Sequence, residues 1–419
     1  MYFVMDVLRE LDLSAIYDDY DGAKGGKPPY DPRMMAGLIL YGYSVGVYSS
    51  RKLERASYES IPFRVLAAEQ HPDHDTIASF RKRHLEGLGR LFDQVLELCR
   101  EAGLVKLGHV ALDGTKIRAN ASRHKAMSYE RIVKKEGELS AEVAELLKRA
   151  EEVDAAEDAC YGKGVRGDEL PEELRFKSRR LKRIREAKAE LERRAREKAE
   201  REAKEKGKSE EEAKEKGKKA KPKGKDQYNF SDPESRIMLE GSSKSFQQSY
   251  NCQAAVDGKA QVVVAVDVVQ QANDKQQLVP MVQRMERALG GEMPESLSAD
   301  NGYFAGEAIK KVEKKTNLLV SVGKMKDEEK AVSGEEDGEA KEPTTMQRME
   351  SKLRSESGSE IYACRKEIVE PVFGQIKEVR EFRRFSFRGH SNVQHEWSLL
   401  CAAHNLLKLF RSGWTVCPS

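Results

Sequence analysis

Apolar positions recur every three or four residues through most of the first hundred residues, a spacing that predicts helices. DPRMMAGLILYGYSVGVYSSRKLERASYES carries it, with Pro32 near its start, where a missing N–H is tolerated. HPDHDTIASFRKRHLEGLGRLFDQVLELCREAGL predicts two more helices. Asp75 is placed to cap DTIASFRKRH, whose face carries Arg81, Lys82 and Arg83. The period then changes. Residues 106–113 read as a strand. Two long charged helix patterns follow, SYERIVKKEGELSAEVAELLKRAEEVDAAED and PEELRFKSRRLKRIREAKAELERRAREKAEREAKEK. GVRGDELP between them supplies turn residues, so a helical hairpin is expected. Its tail, KGKSEEEAKEKGKKAKPKGKD, is low-complexity and reads as disordered.

From 249 to 322 the pattern is regular again. SYNCQAAVD and AQVVVAVDVVQ are strands joined at Asp257-Gly258, a hairpin signal. Asn273 and Asp274 are placed to cap the helix DKQQLVPMVQRMERALG. ESLSAD is a strand, FAGEAIKKVEKK a helix and NLLVSVG a strand. Residues 324–358 are acidic and polar and read as a mobile linker. Residues 359–410 are helical, with a break at RFSFRG. Three strands followed by alternating helix and strand is the order of a ribonuclease-H-like fold, with the first strand central and the fourth beside it. The chain is thus a mixture of α+β and α/β. An N-terminal helical domain spans 1–105, and the first catalytic strand lies in 106–124. A helical-hairpin insertion with a basic tail spans 125–226. The catalytic domain resumes over 227–323 and closes with helices over 359–412, after the 324–358 linker.

Charge refines this picture. Charged residues make up 35 % of the chain, above the usual ~25 %, and they concentrate in two segments. Net charge is only +3, so distribution matters more than total. The six cysteines form no CxxC pair and no Cys/His ligand spacing, which argues against a zinc site. They are expected as reduced cytosolic thiols. No stretch approaches the ~20 apolar residues that span a bilayer, and MYFVMDVLRELDL lacks the marks of a signal peptide. The expectation is a soluble cytoplasmic protein without membrane contact.

Three acids carry the candidate chemistry. Asp113 ends GHVALD, Asp300 ends ESLSAD, and Glu370 lies in the basic amphipathic stretch YACRKEIVEPVFGQIK. Alone, each is a turn residue or a helix-surface carboxylate. In the expected fold they converge, and clustered carboxylates need a cation to stay ionised. Hard oxygen ligands favour Mg²⁺ or Mn²⁺, and a two-metal site supports in-line phosphoryl transfer. Tyr362, Arg365, Glu370 and Lys377 form a Y-x2-R-x4-E-x6-K series, with Glu370 and Lys377 two turns apart on one helical face. The proline at 371 suits a first turn, so that helix is expected to start near Val369. Lysine and arginine there would grip phosphates. Arg388 and His390 in the RFSFRGH break are further DNA-contact candidates. Asp267, Trp397, His404 and Asn405 read as structural.

These motifs resemble the bacterial insertion-sequence transposases of the DDE type, most closely the group designated insertion sequence eleven-eighty-two. The resemblance rests on DLSAIYDDYDG, HPDHDTIASFRKRH, LDGTKIRANAS, RGDELPEEL, DPESRIM, SYNCQAAVD, ADNGYF and RKEIVEPVFGQIKEVREFRRFSFRG. It implies a bacterial, nucleoid-associated protein, with Asp113, Asp300 and Glu370 as catalytic and metal-binding residues. It also matches Tyr362, Arg365 and Lys377 to the family's signature, with the Arg-to-Glu gap one residue longer than the commonest form. It begins only a few residues from Met1, where related proteins tend to have longer N-termini. The implied activity is metal-dependent cleavage of double-stranded DNA at the element's terminal inverted repeats, then strand transfer into target DNA by a homodimer. A stand-alone metal nuclease and a catalytically silent DNA-binding descendant are the alternatives.

Overall fold

The computed structural model describes residues 1–18, 29–161, 172–205, 207–240, 244–323 and 343–415. The GVRGDELP turn and residues 324–342 of the expected linker lie outside them. Two compact units make up the chain, Met1–Asn120 with Glu234–Ser419, and Ala121–Pro233.

The first unit opens with helices α1 (Tyr2–Glu10), α2 (Ser14–Tyr17), α3 (Pro32–Val45), α4 (Ser50–Glu59), α5 (Ile61–Leu66), α6 (His74–Arg83) and α7 (Leu85–Glu101). Local chemistry sets their ends. Asp31 caps α3 by accepting from the Met34 N–H at 2.9 Å, Pro32 takes the first position, and Gly46 ends the helix at φ 85°. The cap of α6 is Asp73, not Asp75: its Oδ1 accepts from the Thr76 N–H at 2.7 Å.

Strand β1 (His109–Arg118) follows and runs five residues past Asp113, so Asp113 is mid-strand rather than at a strand end. In the second unit come β2 (Ala126–Ser128), α8 (Tyr129–Tyr161), α9 (Glu172–Glu205), α10 (Glu210–Lys219) and β3 (Gln227–Asn229). The chain then returns to the first unit with β4 (Arg236–Leu239), β5 (Phe246–Asp257), β6 (Val263–Val269), α11 (Leu278–Ala288), β7 (Ser296–Ala299), α12 (Gly306–Val312) and β8 (Asn317–Val320). It closes with α13 (Thr345–Arg354), α14 (Glu356–Ala363), α15 (Arg365–Gly374) and α16 (His390–Arg411).

The sheet has the expected order. β1 is central, antiparallel to β5 on one side and parallel to β7 on the other; β6 flanks β5 and β8 flanks β7. The short β4 pairs with the start of β5. The N-terminal helices do not form a separate core: α16 packs on α7, α3 and β6, burying Trp397, Leu399 and Leu400 with Leu88, Leu91 and Leu40. Asn405 of α16 both donates to and accepts from the Val263 backbone, each at 2.8 Å, and so serves the outer edge of β6 as a strand partner would.

In the second unit α8 and α9 lie side by side. Ion pairs from Glu142 to Lys177 and from Glu136 to Lys188, with Tyr129 bonded to Glu192, fix α8 and α9 antiparallel. Ile132, Leu139, Leu181, Ile184, Ala187 and Leu191 form its core. The tail expected to be disordered instead forms α10. Ser209 caps it, glutamates fill its first turn and lysines its last, an arrangement that complements the helix dipole. Its small residues Ala213 and Gly217 are buried, and a Cβ on Gly217 would run into the Glu200 side chain of α9.

Of the linker expected over 324–358, the described part, 343–358, is largely helical instead. Thr344 and Gln347 form a reciprocal capping box at the start of α13. Buried Met349 then docks the helix on β8, its sulfur 3.4 Å from the Val320 N–H.

Candidate active site

The parallel ladder between β1 and β7 ends at Leu112 and Ala299. Asp113 and Asp300 are the next residues on each strand, so they emerge side by side where the sheet opens, roughly one strand spacing (~4.8 Å) apart. β1 continues because β5 keeps pairing with it as far as Arg118 and Ser249. Asp300 leaves the sheet at once. Its Oδ1 accepts from the Gly302 N–H at 2.8 Å and caps the single turn Asn301–Tyr303.

Asp113 is mostly enclosed, its side chain 20 % exposed. Burial lifts its carboxyl to about 6; the Gly114 N–H and Arg365 pull it down, and the Asp300 charge pushes it up. Arg365 donates from Nη1 to Asp113 Oδ2 at 3.2 Å and is only 8 % exposed. Its guanidinium also stands 5.9 Å from the centre of the Tyr362 ring. Of the expected signature, Arg365 and Tyr362 thus form one group with Asp113.

Helix α15 brings Arg365 there through a buried face of Arg365, Ile368, Val369 and Val372 laid on β1. It starts at Arg365, not near Val369, and Pro371 is internal. A proline cannot donate to the carbonyl four residues earlier. Here the Gln261 Nε2 donates to that Glu367 carbonyl at 2.9 Å instead. A wide helical turn over Gln375–Val379 follows and shifts the phase of the chain. Lys377 consequently does not share a face with Glu370. It points to β1, with Nζ 3.3 Å from Thr115 Oγ1 and 3.4 Å from the Lys116 carbonyl. Glu370 stands on the exposed side of α15. Among the described residues, no three His, Cys, Asp or Glu side chains are grouped as metal ligands.

The other expected DNA contacts divide. Lys82, Arg83 and Arg388 are exposed, Arg388 donating from Nε to the Asn120 carbonyl at 2.8 Å. Arg81 is buried, which corrects its reading as a surface cation. It donates to the Tyr48 carbonyl, stands 5.2 Å from the Phe387 ring centre and faces buried Glu396. Asp267 pairs with Arg284 at 2.8 Å, and His404 is buried with Nε2 3.0 Å from the Gln261 carbonyl.

Asp274, expected as a helix cap, instead turns its side chain to β5. Its Oδ1 accepts from Asn251 Nδ2 and Gln253 Nε2, each at 2.7 Å. Burial raises its carboxyl, those amides lower it, and Asp300 raises it further. The available signal was its position: like Asp300, it closely follows the end of a buried strand.

Asp113 and Asp300 fit a hard divalent cation. Two adjacent carboxylates, one of them pushed up by burial, offer oxygen donors whose repulsion a cation relieves.

Residues 3–83 match the family described as Transposase domain (DUF772), and residues 238–406 the family described as Transposase DDE domain. The second match runs from β4 into α16 and includes Asp300 and Glu370; Asp113 and the unit Ala121–Pro233 lie outside both. No curated protein and no solved structure matches the chain. A transposase DDE domain implies a ribonuclease-H-like fold, and the mixed sheet centred on β1 agrees with it. Among the described residues no helix is long and apolar enough to cross a membrane.

Proposed function

We propose, on the premise that this chain is a bacterial insertion-sequence transposase, that it cuts double-stranded DNA at the element's inverted-repeat ends and joins the freed ends to target DNA. The group designated insertion sequence eleven-eighty-two fits the pairing of its two matched domains. The reaction belongs to the bacterial cytoplasm, where the chromosome lies. What carries the reading is the ladder ending at Leu112 and Ala299, which leaves Asp113 and Asp300 adjacent.

Asp113 and Asp300 would hold Mg²⁺ or Mn²⁺, with Glu370 as the third carboxylate of a two-metal site. Such ions, when bound, supply Lewis acidity to the phosphoryl oxygens and the attacking hydroxyl. Arg365 orients Asp113 through its hydrogen bond and lowers the cost of the paired negative charges. Lys377 tethers α15 to the far half of β1 and places a cation beside the opening. Lys82, Arg83 and Arg388 contribute exposed positive charge for the DNA backbone. Two element ends must be synapsed, so two copies of the chain act together.

The test is incubation of purified protein with DNA carrying the genomic termini that flank its gene, in Mg²⁺ or Mn²⁺. Metal-dependent cleavage at the repeat ends and joined products are expected. Asp113→Ala, Asp300→Ala and Glu370→Ala should each lower cleavage by roughly a hundredfold or more. Wild-type activity in Asp113→Ala refutes the site. Cleavage without joined products makes the protein a nuclease, and full activity in Glu370→Ala alone removes that residue from the set.

A further inference from the structure

Neighbouring residues of a strand point to opposite faces of the sheet. Asp113 faces α15, so the reverse face of β1 begins at Gly114, and there the structure holds a network of buried polar side chains. Gly114 is paired in register with Gln253 of β5. A Cβ on Gly114 would lie 2.6 Å from Gln253 Nε2 and 2.8 Å from Asp274 Oδ1, so only glycine leaves room.

The network has a fixed sense. An ionised carboxylate only accepts hydrogen bonds. Asp274 therefore takes the Gln253 NH₂ group, which turns Gln253 Oε1 the other way. That oxygen accepts from the hydroxyl of Tyr303, a fully buried side chain. Asn251 holds Asp274 from a second direction, and Trp397 Nε1 donates to the Gln253 carbonyl at 3.0 Å, pinning it from α16. Tyr303 closes the turn that Asp300 caps; its N–H reaches the Asp300 carbonyl at 3.2 Å. Gly302 completes the fit: a Cβ there would stand 2.9 Å from Asp300 Oδ1 and 3.3 Å from Asp274 Oδ2.

We propose that Asp274, Gln253 and Tyr303 form a positioning relay that holds the Asp300 carboxylate beside Asp113 from behind the sheet, and so sets the affinity of that pair for a divalent cation. This rests on the reading of Asp113 and Asp300 as the metal-holding pair. β7 spans only Ser296–Ala299, so Asp300 lies beyond its pairing, and the Tyr303 hydroxyl ties its turn to β5.

Tyr303→Phe removes the hydroxyl and keeps the ring. Mn²⁺ binding, followed by electron paramagnetic resonance, should weaken roughly tenfold, as expected for a lost outer partner of a metal site. The melting temperature without metal should stay near wild type. End cleavage should fall at low Mn²⁺ and recover at saturating Mn²⁺. Asp274→Ala should match Tyr303→Phe, because it frees the Gln253 amide to flip. Asp274→Asn loses the same charge as Asp274→Ala but keeps an oxygen acceptor there, and should bind Mn²⁺ clearly better than Asp274→Ala. The site is identified as the Mn²⁺ that Asp113→Ala loses. If wild type holds no such Mn²⁺, the underlying reading fails. If it does and Tyr303→Phe binds it equally well, or Asp274→Asn is as damaged as Asp274→Ala, the relay alone is overturned.

Discussion

Arg81 and Lys82 are neighbours on α6 with opposite surroundings. Arg81 is buried against Tyr48 and Phe387 and lowers the carboxyl of Glu396, which burial otherwise raises. Lys82 faces solvent. A basic run in sequence conceals this difference, because helical phase alone does not say which cation meets a buried acid. Arg81→Ala removes the cation that compensates buried Glu396, so it should cost roughly 3 kcal/mol. Thermal denaturation should show that loss while Lys82→Ala melts like wild type; equal melting of both variants would refute the buried role. Asp113 and Asp300 were legible because each closes an apolar run, whereas Asp274 was not, since its partners Asn251 and Gln253 lie on another strand. The raised carboxyl of Asp113 makes a second prediction. Its folded pKa of about 6 exceeds the ordinary 3.8, so its contribution to stability is full below ~4 and is lost as pH rises through ~6. A divalent cation needs the ionised form. The rise in melting temperature on adding Mg²⁺ should therefore grow between about pH 5 and pH 7. Asp113→Asn should lack that growth, and an unchanged pH profile in the variant would exclude Asp113 as the cation's ligand.

At the scale of elements, α15 shows what periodicity leaves out. Its buried stripe was readable, but its start was not, because the proline rule points to a first turn and not to a side chain arriving from elsewhere. Gln261 makes the internal Pro371 tolerable by occupying the Glu367 carbonyl. It does so from a left-handed backbone, φ 58°, while its Oε1 accepts from Lys408 at 2.9 Å. Gln261→Ala loses both side-chain bonds and should cost about 1–2 kcal/mol. Denaturant titration would measure it, and a midpoint equal to wild type would mean that water replaces Gln261 at no cost. Helices α10 and α13 were missed for a related reason. Both are mostly polar and are anchored by very few buried residues, Ala213 and Gly217 in one and Met349 in the other. Their caps were the stronger signal: Ser209 before three glutamates, and Thr344 three residues before Gln347.

At the scale of the whole molecule, the strand order was readable because strands 1, 5 and 6 alternate or run apolar between clear turns, and β7 and β8 each follow a helix. What the order does not say is how the chain leaves the sheet for more than a hundred residues and returns. The two exits are fastened to one short segment. Asn120 donates to the Ser386 carbonyl at 2.7 Å and accepts from Arg388. Glu234 Oε2 accepts from the His390 N–H at 2.7 Å. Ends held this close are those of an inserted domain, and such an insertion is removable when the host keeps its own core. Replacing residues 121–233 with a Gly/Ser linker of about six residues should therefore leave the first unit folded. It should melt cooperatively within a few degrees of the full chain and keep the Mn²⁺ that Asp113→Ala loses. The excised unit should be helical by circular dichroism yet melt at lower temperature, since its core is a narrow seam between α8 and α9. A trimmed chain that shows no cooperative transition would mean that the sheet depends on the hairpin for its stability.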